Sequence, residues 1–600
     1  MSLLADQATT ETLSTRSFRH DALLVGAVAS SFAAPRLLSG IPWWGLAVLA
    51  VAAAATLRPR FAFAALLVVI AIHATWALDG LTPVATQPLD SVDVLLVEDP
   101  RPATNRWRAL ASVDGETVMI TARLPAATRL ISASLGDTLT LSGTMRGDAP
   151  DTDWAISRRV VGQITATEIH RVAPATGPVG VANRLRDTIS DGTDSIPGNR
   201  QVLFTGLVYG DDRGQGVIVA DNFRAAGLGH LLAVSGQNVV FVLLLAAPLL
   251  TRIRSVPVRV ATAFTVLAAF GFLTRFEASV TRAIVMAGIA LLAHAVGRPS
   301  SAAAAIVPAV VGLLLLDPLL AWSLAFQLSV AATMGLIVLA PRVGPLLRGP
   351  EPLRLAVAAT LSAQLFVSPL LFATFGQVSV VAVPANLLAA PAAAGAMMWG
   401  LGAGTLAGIG PTWLAETLHL PTRALLWWID GVAALASRVD VGQATPWHLV
   451  VLVAGAMGWH LRIGRRWFAV ALMAVALVSP LLTPRQLPPG QHVLTRGVTA
   501  ARSVDGHDVL MIDGSARPDD LIEAVRQARL GRIDLVIATS GSRSAGALVA
   551  LVHERFEVTD TWAPAGHQVP QARVVEPIEG TIGSLVLVED VNGELVFIES

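Results

Sequence analysis

Phe223-Arg-Ala-Ala-Gly-Leu-Gly-His-Leu-Leu-Ala-Val-Ser-Gly-Gln-Asn-Val239 decides how this chain is read. It sets Arg224, His230, Ser235, Gln237 and Asn238, with three glycines, against the start of a long apolar run, Val239 to Leu250. Polar side chains at the mouth of a membrane helix are costly, and persist where they face protein or a water-filled path. Glycines there let backbones approach closely or let a helix break. The plain alternative is a glycine-kinked helix start whose polar groups only cap backbone. Four polar side chains at Asn238, Gln237, Ser235 and His230 exceed what one cap uses.

Composition agrees with a membrane setting. The chain has 600 residues, 53% hydrophobic and 14% charged, with a mean hydropathy of +0.61. That is a polytopic membrane protein rather than a soluble one. Net charge is +0, so no global field recruits a polyanion and any nucleic-acid contact is local. All 43 Lys+Arg residues are arginine. A phosphate-binding loop of the G-x-x-x-x-G-K-[ST] type is therefore impossible. Without cysteine, disulfides, thiolate zinc sites and thiol catalysis are excluded. The first apolar run lacks a convincing small-residue cleavage site and reads as a retained helix.

Around the deciding stretch the chain falls into five parts. Residues 1–81 hold N-terminal membrane helices, with apolar runs near 21–35, 41–57 and 61–78. Residues 82–175 alternate instead, at Val92–Val97, Trp107–Val113, Glu116–Arg123, Thr138–Met145 and Gln163–Ile169. Asp114-Gly115 marks a hairpin between two of these strands. Short strands in so small a span suggest a closed barrel, with an OB-like fold as one candidate and a sandwich as the other. Residues 176–230 form a connector in which Val181–Ile189 reads as an interfacial amphipathic helix, Arg184 and Arg186 on its wet side. Residues 231–482 are dominated by apolar runs, near 231–250, 257–274, 280–296, 302–316, 320–340, 355–374, 378–409 (read as broken), 424–437, 447–461 and 467–482. Residues 487–600 are soluble in character, with strands at Asp508–Asp513 and Ile533–Thr539, helices at Pro518–Leu530 and Ser544–Phe556, and turns at Asp505-Gly506 and Asn592-Gly593. This is a small α/β or α+β domain.

Arginine bias orients the whole. Arg16, Arg19, Arg58, Arg60 and the clusters at 252–259, 298, 342–354 and 462–466 are consistent as cytoplasmic if the 231–250 helix runs inward. The domains at 82–175 and 487–600 then both lie on the extracytoplasmic side. Arg275 and Arg282 fall against this bias, which points to phosphate contact or, for the loop, to pairing with Glu277. Gln327, with Ser329 and Thr333, sits in a membrane helix. Gln364, Gln377 and Asn386 surround two prolines, Pro384 and Pro391, read as breaking a helix where backbone lines a cavity. His73 and His294 lack ligand-spaced partners and read as packed histidines.

Together these residues resemble the ComEC/Rec2 family, the inner-membrane channel of natural transformation. The resemblance is carried by Leu207-Val-Tyr-Gly-Asp211, Gly227-Leu-Gly-His-Leu-Leu-Ala-Val-Ser-Gly236, Ser279-Val-Thr-Arg282, Asp317-Pro318, Phe326-Gln-Leu-Ser329, Phe375-Gly-Gln377, and Asn386 with Pro391. It implies a competence-type channel domain over 231–482 that passes one DNA strand inward. Single-stranded DNA, membrane lipid, an exported DNA receptor and a cytoplasmic helicase-like ATPase are the implied partners, and a homo-oligomer is left open. The implied path residues are Asp211, Arg224, His230, Ser235, Gln237, Asn238, Arg275, Arg282, Gln327, Gln364, Gln377 and Asn386. Arg106, Trp107 and Arg108 are the candidates for DNA contact on the OB-like domain, with Trp107 equally readable as core. Many relatives carry histidine at the place of Asn238; asparagine still hydrogen-bonds but does not titrate.

The C-terminal part resembles a degenerate metallo-β-lactamase-like domain. Val509-Leu-Met-Ile-Asp513 and Ile533-Asp-Leu-Val-Ile-Ala-Thr539 fit its first strands, but Thr539-Ser-Gly-Ser-Arg-Ser-Ala545 replaces the histidine-rich ligand run. Serine hydroxyls are poor metal ligands at neutral pH. The expectation is a channel rather than an enzyme, with no metal and no cofactor. The rivals are a membrane-anchored nuclease and a transporter or scaffold for another polar substrate.

Overall fold

The computed structural model describes residues 21–38, 59–439 and 487–599, with short interruptions that include 104–105, 149–151, 299–300 and 377. The runs expected at 41–57 and 467–482, nearly all of that at 447–461, and the Asn592-Gly593 turn lie outside the described residues. The chain divides into two compact bodies. One comprises Met1–Gly214, His230–Val378 and Ala382–Val432; the other Gln215–Gly229, Ser379–Val381 and Ala433–Ser600. The connector read at 176–230 is thus shared between them.

In the first body, helices α1 (Asp21–Leu38) and α2 (Pro59–Asp79) precede the strand-rich part. There β1 (Gln87–Leu96), β2 (Arg101–Ala103), β3 (Arg106–Val113), β4 (Glu116–Ala122), β5 (Thr138–Arg146) and β6 (Val160–Ala173) form one sheet, with short helices α3 (Ala127–Ile131) and α4 (Asp153–Ser157) between strands. The order is β1-β5-β6-β4-β3-β2, and β1 also pairs with β3, so five strands close on themselves. Only the β4–β6 pairing is parallel. Asp114 and Gly115 both have positive φ, 51° and 89°, the primed turn whose twist suits a tight hairpin. Alternate residues fill the interior, among them Leu96, Ala111, Val118, Ile120, Leu139, Leu141 and Ile164. Closure removes the unpaired edges that an open sheet would expose.

Helices α5 (Gly177–Asp191) and α6 (Arg200–Tyr209) follow, and α7 (Val217–Ala225) belongs to the second body. Then come α8 (Gly236–Arg252), α9 (Val256–Leu273), α10 (Ala278–Ala295), α11 (Ala302–Leu316), α12 (Leu324–Val338), α13 (Glu351–Phe375), α14 (Ala382–Ile409) and α15 (Thr412–Arg438). Among the described residues six helices are long and apolar enough to cross a membrane: α1, α9, α10, α12 with its continuation to Leu346, α13 and α14. The protein is therefore multi-pass.

Two sequence readings change here. The stretch 378–409 is not broken: α14 runs unbroken for 28 residues. Pro384 lies in its first turn, where a missing N–H costs nothing. Pro391 removes one interior hydrogen bond, that to the Leu387 carbonyl, yet the helix continues through the alanines that follow it. The run read at 424–437 is the end of a longer helix beginning at Thr412.

Helix contact rests on glycine. Phe204 of α6 packs over Gly400 and Gly404, and a Cβ on Gly408 would lie 1.7 Å from the Thr188 carbonyl oxygen of α5. Likewise a Cβ on Gly335 of α12 would lie 2.3 Å from the Ser362 oxygen of α13. Between membrane-crossing helices such as α12 and α13 close backbone approach substitutes for the hydrophobic drive available in water.

The second body has strands β7 (Gly490–Thr495), β8 (Val498–Arg502), β9 (Asp508–Ile512), β10 (Arg532–Ala538), β11 (Glu557–Ala563) and β12 (Arg573–Val574) in sequential order. The first three run antiparallel and the rest parallel. Helices α16 (Pro518–Gln527) and α17 (Arg543–Arg555) pack on it around Leu510, Ile512, Leu521, Val536 and Val549. Helix α7 docks here through Asp221, 2% exposed, whose carboxylate accepts Arg526 Nε at 2.9 Å and Arg555 Nε at 3.1 Å. Losing one partner of such a buried pair leaves charge uncompensated.

Gly408→Ala is expected to destabilise the first body by about 1–3 kcal/mol through overpacking against Thr188. A lowered midpoint of thermal unfolding in detergent would register it; an unchanged midpoint would show that α14 does not approach α5 so closely.

Candidate functional site

The expected helix from residue 231 begins later. Gly229–Leu231 is a single 3-10 turn, Ser235 is extended (φ −105°, ψ 161°), and α8 starts at Gly236. Backbone approach imposes this break. Gly227 and Gly210 have φ of 69° and 83°, and a Cβ on Gly206 would lie 2.9 Å from the Leu232 oxygen. The break is then held by polar struts. Asn238 Nδ2 donates to the Leu207 carbonyl (3.1 Å) and Ser235 Oγ to Asn238 Oδ1 (3.3 Å). Ser279 Oγ donates to the Val234 carbonyl (2.9 Å). Gln237, beside the buried Asn238, is exposed, as is His230 on the 3-10 turn.

Arg282 reaches this point from α10. It is 6% exposed. Its Nε donates to Ser329 Oγ of α12 (3.0 Å), Nη1 lies 3.0 Å from the Met286 sulfur, and Nη2 lies 2.8 Å from where a Cβ on Gly236 would stand. Among the described residues no carboxylate pairs with it. A buried guanidinium with neutral partners beside a helix N-terminus, where N–H groups also lack partners, is poised for an anion.

On the barrel side, a second polar cluster fixes the geometry. Asp99, in the β1–β2 loop, accepts the Leu135 N–H (2.8 Å) and Arg275 Nη2 (3.0 Å) on Oδ1. Its Oδ2 accepts Arg186 Nη2 (3.1 Å) and Arg275 Nε (3.1 Å). Arg275 Nη1 also donates to Asn183 Oδ1 (2.6 Å). Arg186 donates to the Tyr209 and Leu273 carbonyls (3.1 and 2.9 Å) and to Asp211 Oδ2 (3.3 Å), its guanidinium 4.5 Å from the Tyr209 ring centroid. Arg213 grips Asp211 through Nε and Nη2 (2.8 and 2.7 Å).

Three expectations are corrected by this cluster. Arg186 is not on a wet face but 5% exposed, because Asp99 and Asp211 balance its charge. Arg275 pairs with Asp99, not Glu277. Asp211 is spent on two arginines and presents no free carboxylate to a path. The sequence offered little signal for Asp99 or Asn183; the acidic pair Glu98-Asp99 between strands was the only cue.

The remaining residues are dispersed. Gln327 Nε2 donates to the Ala321 carbonyl (2.6 Å), and Asn386 Nδ2 to Thr360 Oγ1 (3.2 Å). Gln364 is half-buried on α13, and Gln377 lies outside the described residues. Arg224 belongs to the second body, 3.7 Å from Asp519. On β3, Trp107 packs against the barrel core while Arg106 and Arg108 are exposed on the other face.

Electrostatics favours this clamp of Asp99 between Arg186 and Arg275 in its charged form. Burial pushes Asp99 up, but Arg186, Arg275, Arg213 and the Leu135 N–H outweigh it and hold its carboxyl at about 2. Burial pushes the Tyr209 hydroxyl up to about 12. Burial also raises Glu277.

Residues 207–466 match the family described as Competence protein. No curated protein and no solved structure matches the chain.

Because Asp99 falls from 3.8 to about 2 on folding, its stabilisation is present above pH 4 and lost as pH falls toward 2. Its size is on the order of 2 kcal/mol. Asp99→Asn should therefore be less stable than wild type at pH 6, with the gap narrowing below pH 4. Thermal unfolding in detergent across that range checks it; a constant gap would contradict the clamp.

Proposed function

Residues 207–466 make this chain a member of the competence protein family, and from that premise we propose that it is a transmembrane channel carrying single-stranded DNA inward across the cytoplasmic membrane. Arg282 carries the reading: a buried cation whose partners are neutral, against the first turn of α8 and among six membrane-crossing helices. Phosphates do not cross hydrocarbon, so their path is wet and lined with donors. Arginine meets phosphate with a planar fork, and its few contacts along the path hold the strand weakly enough to let it move.

The strand-rich domain receives the strand on the outer side in this proposal. Its closed five-stranded ring, single parallel pair and short helix between β4 and β5 support the OB-like reading. Exposed Arg106 and Arg108 supply charge there.

The C-terminal domain, read as a degenerate metallo-β-lactamase-like fold on the same side, performs no hydrolysis in this account. Ser542 accepts the Ala545 N–H at 3.2 Å and caps α17, and Ser540 Oγ accepts the Ser542 N–H at 3.2 Å. Its role is to hold α7 through Asp221. Directional pull comes from a separate helicase-like ATPase, since the chain has no lysine for a phosphate loop.

Arg282→Ala should lower DNase-protected uptake of labelled DNA at least tenfold, in line with losing a charged hydrogen bond, while surface-bound DNA and membrane insertion persist. Arg282→Lys should retain part of the activity. Normal uptake in Arg282→Ala would sink the channel assignment. Ser540→Ala with Ser542→Ala should leave transformation frequency within about twofold, because a cap contributes only ~1 kcal/mol; a marked loss would show chemistry in that loop.

A further inference from the structure

Between the barrel and the membrane helices of the first body lies a cavity of about 250 Å³. Its floor is apolar, from Ala109, Leu110, Ala233 and Val234; its polar walls include Glu98, Arg101, Arg158, Asp212 and Glu277. Most of this charge is spent. Glu98 pairs with Arg158 (3.2 Å) and Arg101 (3.4 Å), and Arg101 also pairs with Asp212 (3.1 Å). One group is not spent: among the described residues no ion pair or side-chain hydrogen bond reaches the Glu277 carboxylate, whereas Arg101 Nε is the atom that faces Glu98. At the rim, Arg108 lies over the Trp154 indole, 5.6 Å from the ring centroid.

We propose that this cavity receives one unstacked nucleobase of the passing strand, with its amino edge on Glu277 and its face at the Trp154–Arg108 pair. The proposal rests on the single-strand channel reading. Glu98, Asp99 and Asp212 are balanced by arginines, so Glu277 is the uncompensated carboxylate of the wall, and it disfavours a phosphate there. The apolar floor and stacking rim select a flat ring. An unspent carboxylate acceptor matches the amino edge of a base, since a carboxylate accepts from the exocyclic amino group of cytosine. The volume is below that of a drug-sized site, which suits one ring system. Thymine lacks the amino group and should bind more weakly.

The test uses the full-length protein in nanodiscs and fluorescent 12-mers of dC and of dT. Wild type should bind dC more tightly than dT. Glu277→Gln should reduce that preference about tenfold, as loss of a charged hydrogen bond does. Arg108→Gln, at an exposed position where folding is not at stake, should weaken both oligonucleotides. Equal binding of dC and dT by wild type, or a preference untouched by Glu277→Gln, would overturn the pocket. If the preference is absent yet uptake in cells depends on Arg282, the pocket falls and the channel stands. If the preference is present yet a strain lacking the protein takes up DNA normally, the channel falls and the site remains a base-binding site.

Discussion

One carboxylate organises the first body. Asp99 is buried between the barrel, α5 and the loop after α9, and accepts hydrogen bonds from Arg186, Arg275 and a backbone N–H. A buried ion pair is favourable only when its remaining hydrogen-bonding capacity is met. Here it is: Arg186 goes on to two carbonyls and Asp211, Arg275 to Asn183, and Arg213 completes Asp211. The carbonyls of Tyr209 and Leu273 belong to the ends of α6 and α9, so the same cluster sets where those helices stop relative to the barrel. Because charge here is matched internally, these arginines keep no unpaired charge for an anion.

Arg282 differs, and the contrast is one of partners rather than burial. Arg186 and Arg282 are similarly inaccessible, 5% and 6% exposed. The first meets two carboxylates; the second meets a hydroxyl and a thioether. Its proximity depends on Gly236, since any side chain there would collide with the guanidinium. Glycine does the same for α14 on α5 and α6, where Gly400, Gly404 and Gly408 recur every four residues on one face. In a chain with few charges, small residues decide how close helices come, and closeness decides which polar atoms share a site.

Local signals in the sequence were readable. Asp114-Gly115 fixes a primed turn from two residues, alternation gives the barrel strands, and apolar runs locate α9, α10, α11 and α13 to within a few residues. Within the quoted stretch Ser235 and Asn238 bond each other, and Arg282 of α10 lies against Gly236. What could not be read were the effects of distant partners. Arg186 looks like the wet face of an amphipathic helix until Asp99, 87 positions away, is brought to it. Pro384 and Pro391 look like breaks until the first falls in the first turn of α14 and the helix continues through the second. The start of α8 is set by Gly206 and Leu207, contacts that no periodicity contains.

The absence of cysteine makes a direct test available. Single substitutions Gln237→Cys and Ser235→Cys, probed with a membrane-impermeant thiol reagent with and without DNA arrested in transit, report whether this mouth is wet and whether a strand occupies it. The account predicts labelling at both positions that blocks DNA passage and is suppressed by arrested DNA. Labelling that neither blocks passage nor responds to DNA would contradict it.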